Sequence, residues 1–135
     1  MEVLSSRILV RSADRAESRR FYRDVLGLAV NREFGPAEDP GVVFFLGQGL
    51  LEVSARASGA VRENATLWLQ VRDVQKEHDR LVEAGVRVSR PPRLEPWGLV
   101  EMWIEDPDGM PIVLVEVPAG HPLRRDLRSF APHPA

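Results

Sequence analysis

The chain has 135 residues, of which 44% are hydrophobic and 28% charged, and its formal net charge is −2. This balance is ordinary for a globular protein and gives no electrostatic reason to expect a nucleic-acid or membrane partner. The absence of cysteine excludes disulfides and thiol catalysis, and no apolar run reaches the roughly 18 residues that span a bilayer. We therefore expect a single cytoplasmic domain over residues 1–135, without a signal peptide.

A strand followed by a capped helix opens the chain. Residues 6–12 alternate in side-chain character, which predicts a strand. The segment 14–28, DRAESRRFYRDVLGL, predicts a helix that begins at an acidic N-cap, Asp14. Gly27 lies where a helix needs a residue that tolerates positive φ in order to stop. Three further strands are predicted at 29–34, 42–49 and 50–56.

The same order of strand, acid, helix and glycine returns roughly sixty residues later. Asp73 caps a second predicted helix at 74–84, and Gly85 ends it. Residues 91–98, PPRLEPWG, predict a proline-rich loop. The remaining strands of this half are predicted at 66–71, 86–90, 99–105 and 111–117, with a DPDG turn at 106–109.

Each half therefore predicts a βαβββ module. The first module is expected at 5–57 and the second at 65–118, with a polar bridge between them and a tail at 119–135 that includes one short helix at 121–130. The predicted fold class is α+β, in which two repeated βαβββ modules form curled mixed, mostly antiparallel sheets around a cleft.

The cleft is expected to be lined by the strand residues that point away from the helices, since alternate side chains of a strand face opposite sides of its sheet. The candidate wall residues are Arg7, Leu9, Arg11, Glu52, Ser54, Thr66, Trp68, Gln70, Glu101, Trp103, Val113 and Val115.

Three segments carry a family resemblance: SADRAESRRFYRDVLGL at 12–28, VRDVQKEHDRLVEAGV at 71–86 and PWGLVEMWIEDPDGMPIVLVE at 96–116. On these segments the chain resembles the vicinal oxygen chelate superfamily, which includes glyoxalase I, extradiol dioxygenases, fosfomycin-resistance enzymes and bleomycin-resistance proteins. The resemblance covers about residues 5–118. It implies paired βαβββ modules, usually assembled as a homodimer, and a small-molecule ligand.

The resemblance also implies four positions at which the family's enzymes hold a divalent metal. In this sequence those positions carry Arg7, Glu52, Thr66 and Val113. Only Glu52 could ligate a metal in the usual manner, because arginine stays protonated and valine has no donor atom. We therefore expect no metal site and no cofactor, as in the metal-free bleomycin-resistance branch.

Two groups of candidate residues allow two interpretations each. Arg7 and Glu52 form an ion pair that only satisfies two charges, or Arg7, alone or together with Arg11, offers a planar fork to a ligand carboxylate or phenolate. Trp68 and Trp103, together with the Trp97 of the PWG segment, are either packing residues or stacking surfaces for a flat ligand.

The leading functional hypothesis is a metal-independent, homodimeric small-molecule-binding protein that sequesters or senses a planar aromatic or anionic ligand, as in antibiotic resistance. One alternative is a lyase or isomerase in which Glu52, its pKa raised in an apolar cleft, is the general base and Arg7 holds an enolate-like charge. Another is a structural or partner-binding dimer with a filled cleft. The sequence leaves open whether any reaction is catalysed.

Overall fold

A computed structural model describes residue 2 and residues 7–56 and 65–124 of the chain. The elements follow in the order β1 (Ile8–Ser12), α1 (Arg15–Arg20), a π-helical turn (Phe21–Val25), β2 (Val30–Phe34), β3 (Gly41–Leu46), β4 (Gly49–Arg56), β5 (Leu67–Val71), α2 (Val74–Glu83), β6 (Val88–Leu94), β7 (Val100–Glu105), β8 (Pro111–Glu116) and a 3₁₀ turn (Pro122–Arg124).

The strands form two four-stranded sheets with the same connectivity. The first sheet has the order β1-β4-β3-β2 and the second the order β5-β8-β7-β6. In each sheet the first pair is parallel and the other two are antiparallel. The predicted α+β class and the duplicated βαβββ module are confirmed. Within the described strands, the two sheets share no hydrogen-bonded pair, so they do not close into one barrel.

Both helices begin and end where the sequence predicts. The side chain of Asp14 accepts a hydrogen bond from the Glu17 N–H, and Asp73 does the same for Lys76. Gly27 and Gly85 follow the two helices with φ of +75° and +82°, a backbone conformation that costs other residues energy. The first helix differs from its prediction after Arg20, where it widens into a π-helical turn.

The main core lies between the helices and the sheets. Leu51 and Val53, which the alternation of β4 directs toward the helix, are both fully buried. Residues of both modules contribute to this one cluster, including Val10, Tyr22, Phe44, Leu81, Met102 and Ile104. The predicted assignment of strand faces is therefore confirmed for the helix side.

The prediction of a loop at 91–98 is partly wrong. Strand β6 continues through Pro91 and Pro92 to Leu94. This is possible because β6 is the edge strand of its sheet, where a residue without an N–H interrupts no ladder on the free side. The register of β6 against β7 shifts twice along this stretch.

Several predictions fall wholly or partly outside the described residues. Of the bridge predicted at 57–65, residues 57–64 lie outside them, and so does most of the helix predicted at 121–130, of which the 3₁₀ turn at Pro122–Arg124 is described. In the part of the chain that the structure covers, no helix is long and apolar enough to cross a membrane.

A buried polar joint links the two modules. The hydroxyl of Tyr22, in the first module, donates to Oδ2 of Asp106 (2.8 Å), in the DPDG turn of the second. The Asp108 carboxylate accepts from the backbone N–H of Ala13 (2.9 Å) and from Ser18 Oγ (3.2 Å). Tyr22 and Asp106 are both buried. The DPDG segment, predicted only as a turn, thus also holds the first helix against the second module.

Candidate functional site

Each sheet has an outer face, defined here as the side turned away from the helices. Directly paired residues on neighbouring strands point to the same side of a sheet, so the strand register defines rows across each outer face. In the first sheet one row is Leu9, Glu52, Val43 and Arg32. The matching row of the second sheet is Trp68, Val113, Trp103 and Arg90.

The carboxylate of Glu52 organises the first outer face. Arg7 Nη1 donates to Glu52 Oε2 (2.8 Å), and Ser54 Oγ donates to Oε1 (2.7 Å). The pKa of Glu52 lies below its ordinary value. The hydrogen bond from Arg7 is the largest cause and that from Ser54 the next, and the positive charges of Arg7 and Arg32 add to them. The expected pairing of Arg7 with Glu52 is confirmed.

The expected rise in the pKa of Glu52 is wrong. Hydrogen bonds and positive charges that favour the ionised form outweigh the effect of burial at this residue. A carboxylate of lowered pKa is a weaker base, and both of its oxygens already accept hydrogen bonds. The hypothesis of Glu52 as a general base therefore loses the property on which it rested.

Substitution of Glu52 by glutamine should reveal this lowered pKa in the stability of the protein. An acid whose folded pKa is depressed stabilises the fold above its unfolded pKa, here about 4.5, and loses that contribution as the pH falls through the folded value. We expect the difference in unfolding free energy between wild type and Glu52→Gln to be constant near pH 7 and to shrink below pH 4.5. Urea titrations at several pH values measure it, and a difference that grows on acidification would contradict the assigned pairing.

The second outer face carries two tryptophans tied to charged groups. Trp97 Nε1 donates to Glu101 Oε2 (2.7 Å), which fixes the orientation of an indole that is 57% exposed. The Arg90 guanidinium lies 5.7 Å from the centroid of the Trp103 ring, and its Nη2 atom lies 3.9 Å from Glu101 Oε1. The structure therefore brings three predicted residues, Trp97, Glu101 and Trp103, into one cluster.

The sequence reading missed two members of this cluster, Arg90 and Glu95. The Glu95 side chain is only 2% exposed and accepts hydrogen bonds from Arg93 Nε (2.8 Å) and from Arg90. The bond from Arg93, followed by the charge of Arg90, keeps the pKa of Glu95 below its usual range. Glu95 was overlooked because 91–98 was predicted as a loop, to which strand alternation was not applied. Arg90 ends the strand predicted at 86–90, and only the pairing of β6 with β7 places it beside Trp103.

An apolar floor lies beneath these groups. Leu99, Val113, Val115 and Val117 are buried in a second, smaller cluster, with Trp103 packed against it. Trp103 therefore acts as a packing residue and as a surface for Arg90. Trp68, paired with Val113 on the neighbouring strand, is 48% exposed and retains a free ring surface. All three tryptophans lie outside the core beneath the helices.

Within the described residues of one chain, the two sheets do not close on each other. Leu9, Arg11, Thr66 and Gln70 are exposed on sheets that share no strand pairing within the described residues. A groove of about 990 Å³ runs between the modules, and of the predicted residues it includes Trp68 and Gln70. Its other lining residues come mainly from the turn after the first helix, the β3–β4 turn and α2.

The residues at the family's metal positions do not fit a divalent cation. The Arg7 guanidinium is bound to Glu52, and Val113 is buried and offers no donor atom. Thr66 offers only a hydroxyl, so Glu52 is the one carboxylate among the residues at the four metal positions. Among the described side chains, no group of three or more His, Cys, Asp or Glu residues converges elsewhere.

The fold defines a class: proteins built from two βαβββ modules, each with one mixed four-stranded sheet. The family model of the Glyoxalase/Bleomycin resistance protein/Dioxygenase superfamily matches residues 5–114. The chain belongs to this superfamily, which contains the vicinal oxygen chelate proteins that the sequence resembles. No curated protein matches it in sequence.

Solved structures with the same fold include proteins of different function. The antibiotic binding protein TnmS3 from Streptomyces sp. has 21% identity and a TM-score of 0.72, and the match covers 87% of this chain and 98% of that one. A superfamily member from Sphaerobacter thermophilus has 23% identity and a TM-score of 0.67, with 85% and 98% covered. Lactoylglutathione lyase from Agrobacterium tumefaciens has 20% identity and a TM-score of 0.64, with 86% and 94% covered. At these identities the likeness shows the fold alone.

Proposed function

We propose that this chain is a cytoplasmic, metal-independent small-molecule-binding protein that sequesters or senses a planar aromatic or anionic ligand. The observation that carries the proposal is the second outer face, where the exposed indole of Trp68 is paired across strands with Val113, at one of the family's metal positions. The antibiotic-binding neighbour has the same fold, which supports this function by analogy.

The indoles suit a flat ligand for physical reasons. Trp68 and Trp97 are large apolar side chains with 48% and 57% of their surface exposed, so covering them with a ring removes apolar area from water. Each stacked pair adds about 1 kcal/mol beyond that burial. Because Glu101 already holds Trp97, little side-chain freedom is lost when a ligand binds.

We further propose that the ligand is enclosed by two copies of the chain. The outer faces of one chain lie on separate, unclosed sheets, and both present exposed apolar side chains such as Leu9 and Trp68. A homodimer in which the first outer face of one copy stands opposite the second outer face of its partner would cover both. We expect light scattering to show a dimer in solution.

Calorimetric titration against a panel of planar aromatic compounds tests the binding function. The panel contains anionic, neutral and cationic members, and the buffer contains a metal chelator. We expect at least one member to bind once per chain and to quench tryptophan fluorescence. A bulky, non-planar carboxylate such as adamantane-1-carboxylate is the matched control and should bind weakly. Absence of heat and of quenching across the whole panel would reject the proposal.

A further inference from the structure

We propose that the first outer face is an anion subsite, in which Arg7 and Arg32 flank Glu52 and together receive a carboxylate or phenolate of the ligand. This inference rests on the proposed function and assigns the ligand class: a planar aromatic body that stacks on the second outer face, with one anionic group that binds to the first.

The charges of the two outer faces differ. On the outer face of the first sheet, the described strands carry Arg11, Arg32 and one carboxylate, that of Glu52, and Arg7 precedes β1 and binds this carboxylate. On the second outer face the carboxylates of Glu95 and Glu101 balance the two arginines of β6. The unbalanced positive charge therefore lies on the first outer face, where an anion gains most.

Arg32 is available to a ligand. It lies in the same row as Glu52, with Val43 on the strand between them, and its charge contributes to the lowered pKa of Glu52. Its guanidinium lies 5.0 Å from the centroid of the Phe34 ring, which holds it over an aromatic face. Among the residues that the structure describes, no carboxylate forms an ion pair with Arg32.

Arg7 keeps free donors while it is bound to Glu52. A guanidinium has five N–H groups in a planar fork, and the hydrogen bond to Glu52 uses one nitrogen, Nη1. The Arg7 side chain is 38% exposed, so the rest of the fork can be reached from solvent. Glu52 therefore acts as a positioning residue that orients Arg7, and the ligand need not displace it.

Three probes that differ only in charge test the subsite: naphthalene-2-carboxylate, naphthalene-2-carboxamide and 2-naphthylmethylammonium. With the wild-type protein, calorimetry should give a dissociation constant for the carboxylate about tenfold lower than that for the carboxamide, as one charge-assisted pair provides. The ammonium should bind weakest. Arg32→Gln should abolish the preference for the carboxylate and retain binding of the carboxamide.

Arg23→Gln is the matched control, because it makes the same change in charge at an exposed arginine that pairs with Asp24 on the first helix. It should keep the tenfold preference, and the circular dichroism of both variants should match wild type. Equal affinity of wild type for carboxylate and carboxamide, or a preference that survives Arg32→Gln, would overturn the subsite while leaving the binding function intact. Absence of binding by all three probes would count against the binding function itself, and the subsite with it.

Discussion

Replacing Asp106 with alanine should lower the free energy of unfolding by about 3 kcal/mol, because the buried Tyr22 hydroxyl and two partly buried backbone N–H groups lose their acceptor. The Asp106 carboxylate accepts from the Tyr22 hydroxyl and from the backbone N–H groups of Asp108 (2.9 Å) and Met110 (2.8 Å). Urea unfolding measures the loss. Glu83→Ala, which removes an exposed carboxylate at the end of α2, is the control and should change stability by less than about 0.5 kcal/mol.

The pH dependence of this joint has a defined sign. Burial raises the pKa of Asp106 above its usual value of 3.8. An acid with a raised folded pKa contributes stability below its unfolded pKa and loses that contribution as the pH rises through the folded value. The unfolding free energy of wild type relative to Asp106→Asn should therefore be greatest at acidic pH and decline toward neutrality. A difference that increases toward neutral pH would contradict the assigned burial of this group.

Removing both exposed indoles, in the double variant Trp68→Ala/Trp97→Ala, should weaken ligand binding by about a hundredfold. Each indole provides a stacking surface, and the loss of contact with a bound ring costs about 1–1.5 kcal/mol per residue. Titration with the member of the aromatic panel that binds the wild-type protein gives the affinity.

Val82→Ala is the control for this double variant. Val82 is an apolar residue of α2 with 51% exposure, comparable to that of the two tryptophans, but α2 covers the opposite side of the second sheet from their face. The Val82→Ala substitution should leave the dissociation constant of the aromatic ligand unchanged. If the double variant also binds as wild type does, the ligand contacts neither indole, and the outer face is not its site.

The fold could be predicted largely from local patterns. Asp14 and Asp73 as N-caps, with Gly27 and Gly85 as stops, fix the helix ends through backbone chemistry that is visible in the sequence. The alternation of side chains along each strand likewise identifies which residues face the helices and which face away from them. The extension of β6 through two prolines could not be predicted in this way, because proline is tolerated there only once the strand is known to be at a sheet edge.

Less of the candidate site could be predicted from the sequence, because the site depends on the register between strands and on contacts between residues distant in the chain. Alternation places Trp103 on the outer face, but only the pairing of β6 with β7 places Arg90 beside it. The same holds for Arg32, which reaches the row of Glu52 across two strand pairings. The lowered pKa of Glu52 follows from Arg7, which lies 45 positions away in the sequence.

The joint between the modules shows the same limit. Nothing in the sequence near Tyr22 indicates that its hydroxyl donates to a carboxylate 84 positions later. How far the two sheets close on each other is hidden from the sequence for a related reason, since the relative placement of two modules is set by long-range contacts. The local sequence pattern predicts the strands of each sheet, but the space that two sheets enclose depends on how the modules pack against each other.

Affinity for the aromatic ligand, measured with and without divalent metal, tests metal-independent binding most directly. The chelator-treated protein should bind the ligand with the same dissociation constant as protein supplied with zinc, nickel, iron or manganese, because Arg7, Thr66 and Val113 offer no usual metal ligand. Binding that requires one of these metals, or strengthens at least tenfold in its presence, would contradict this account.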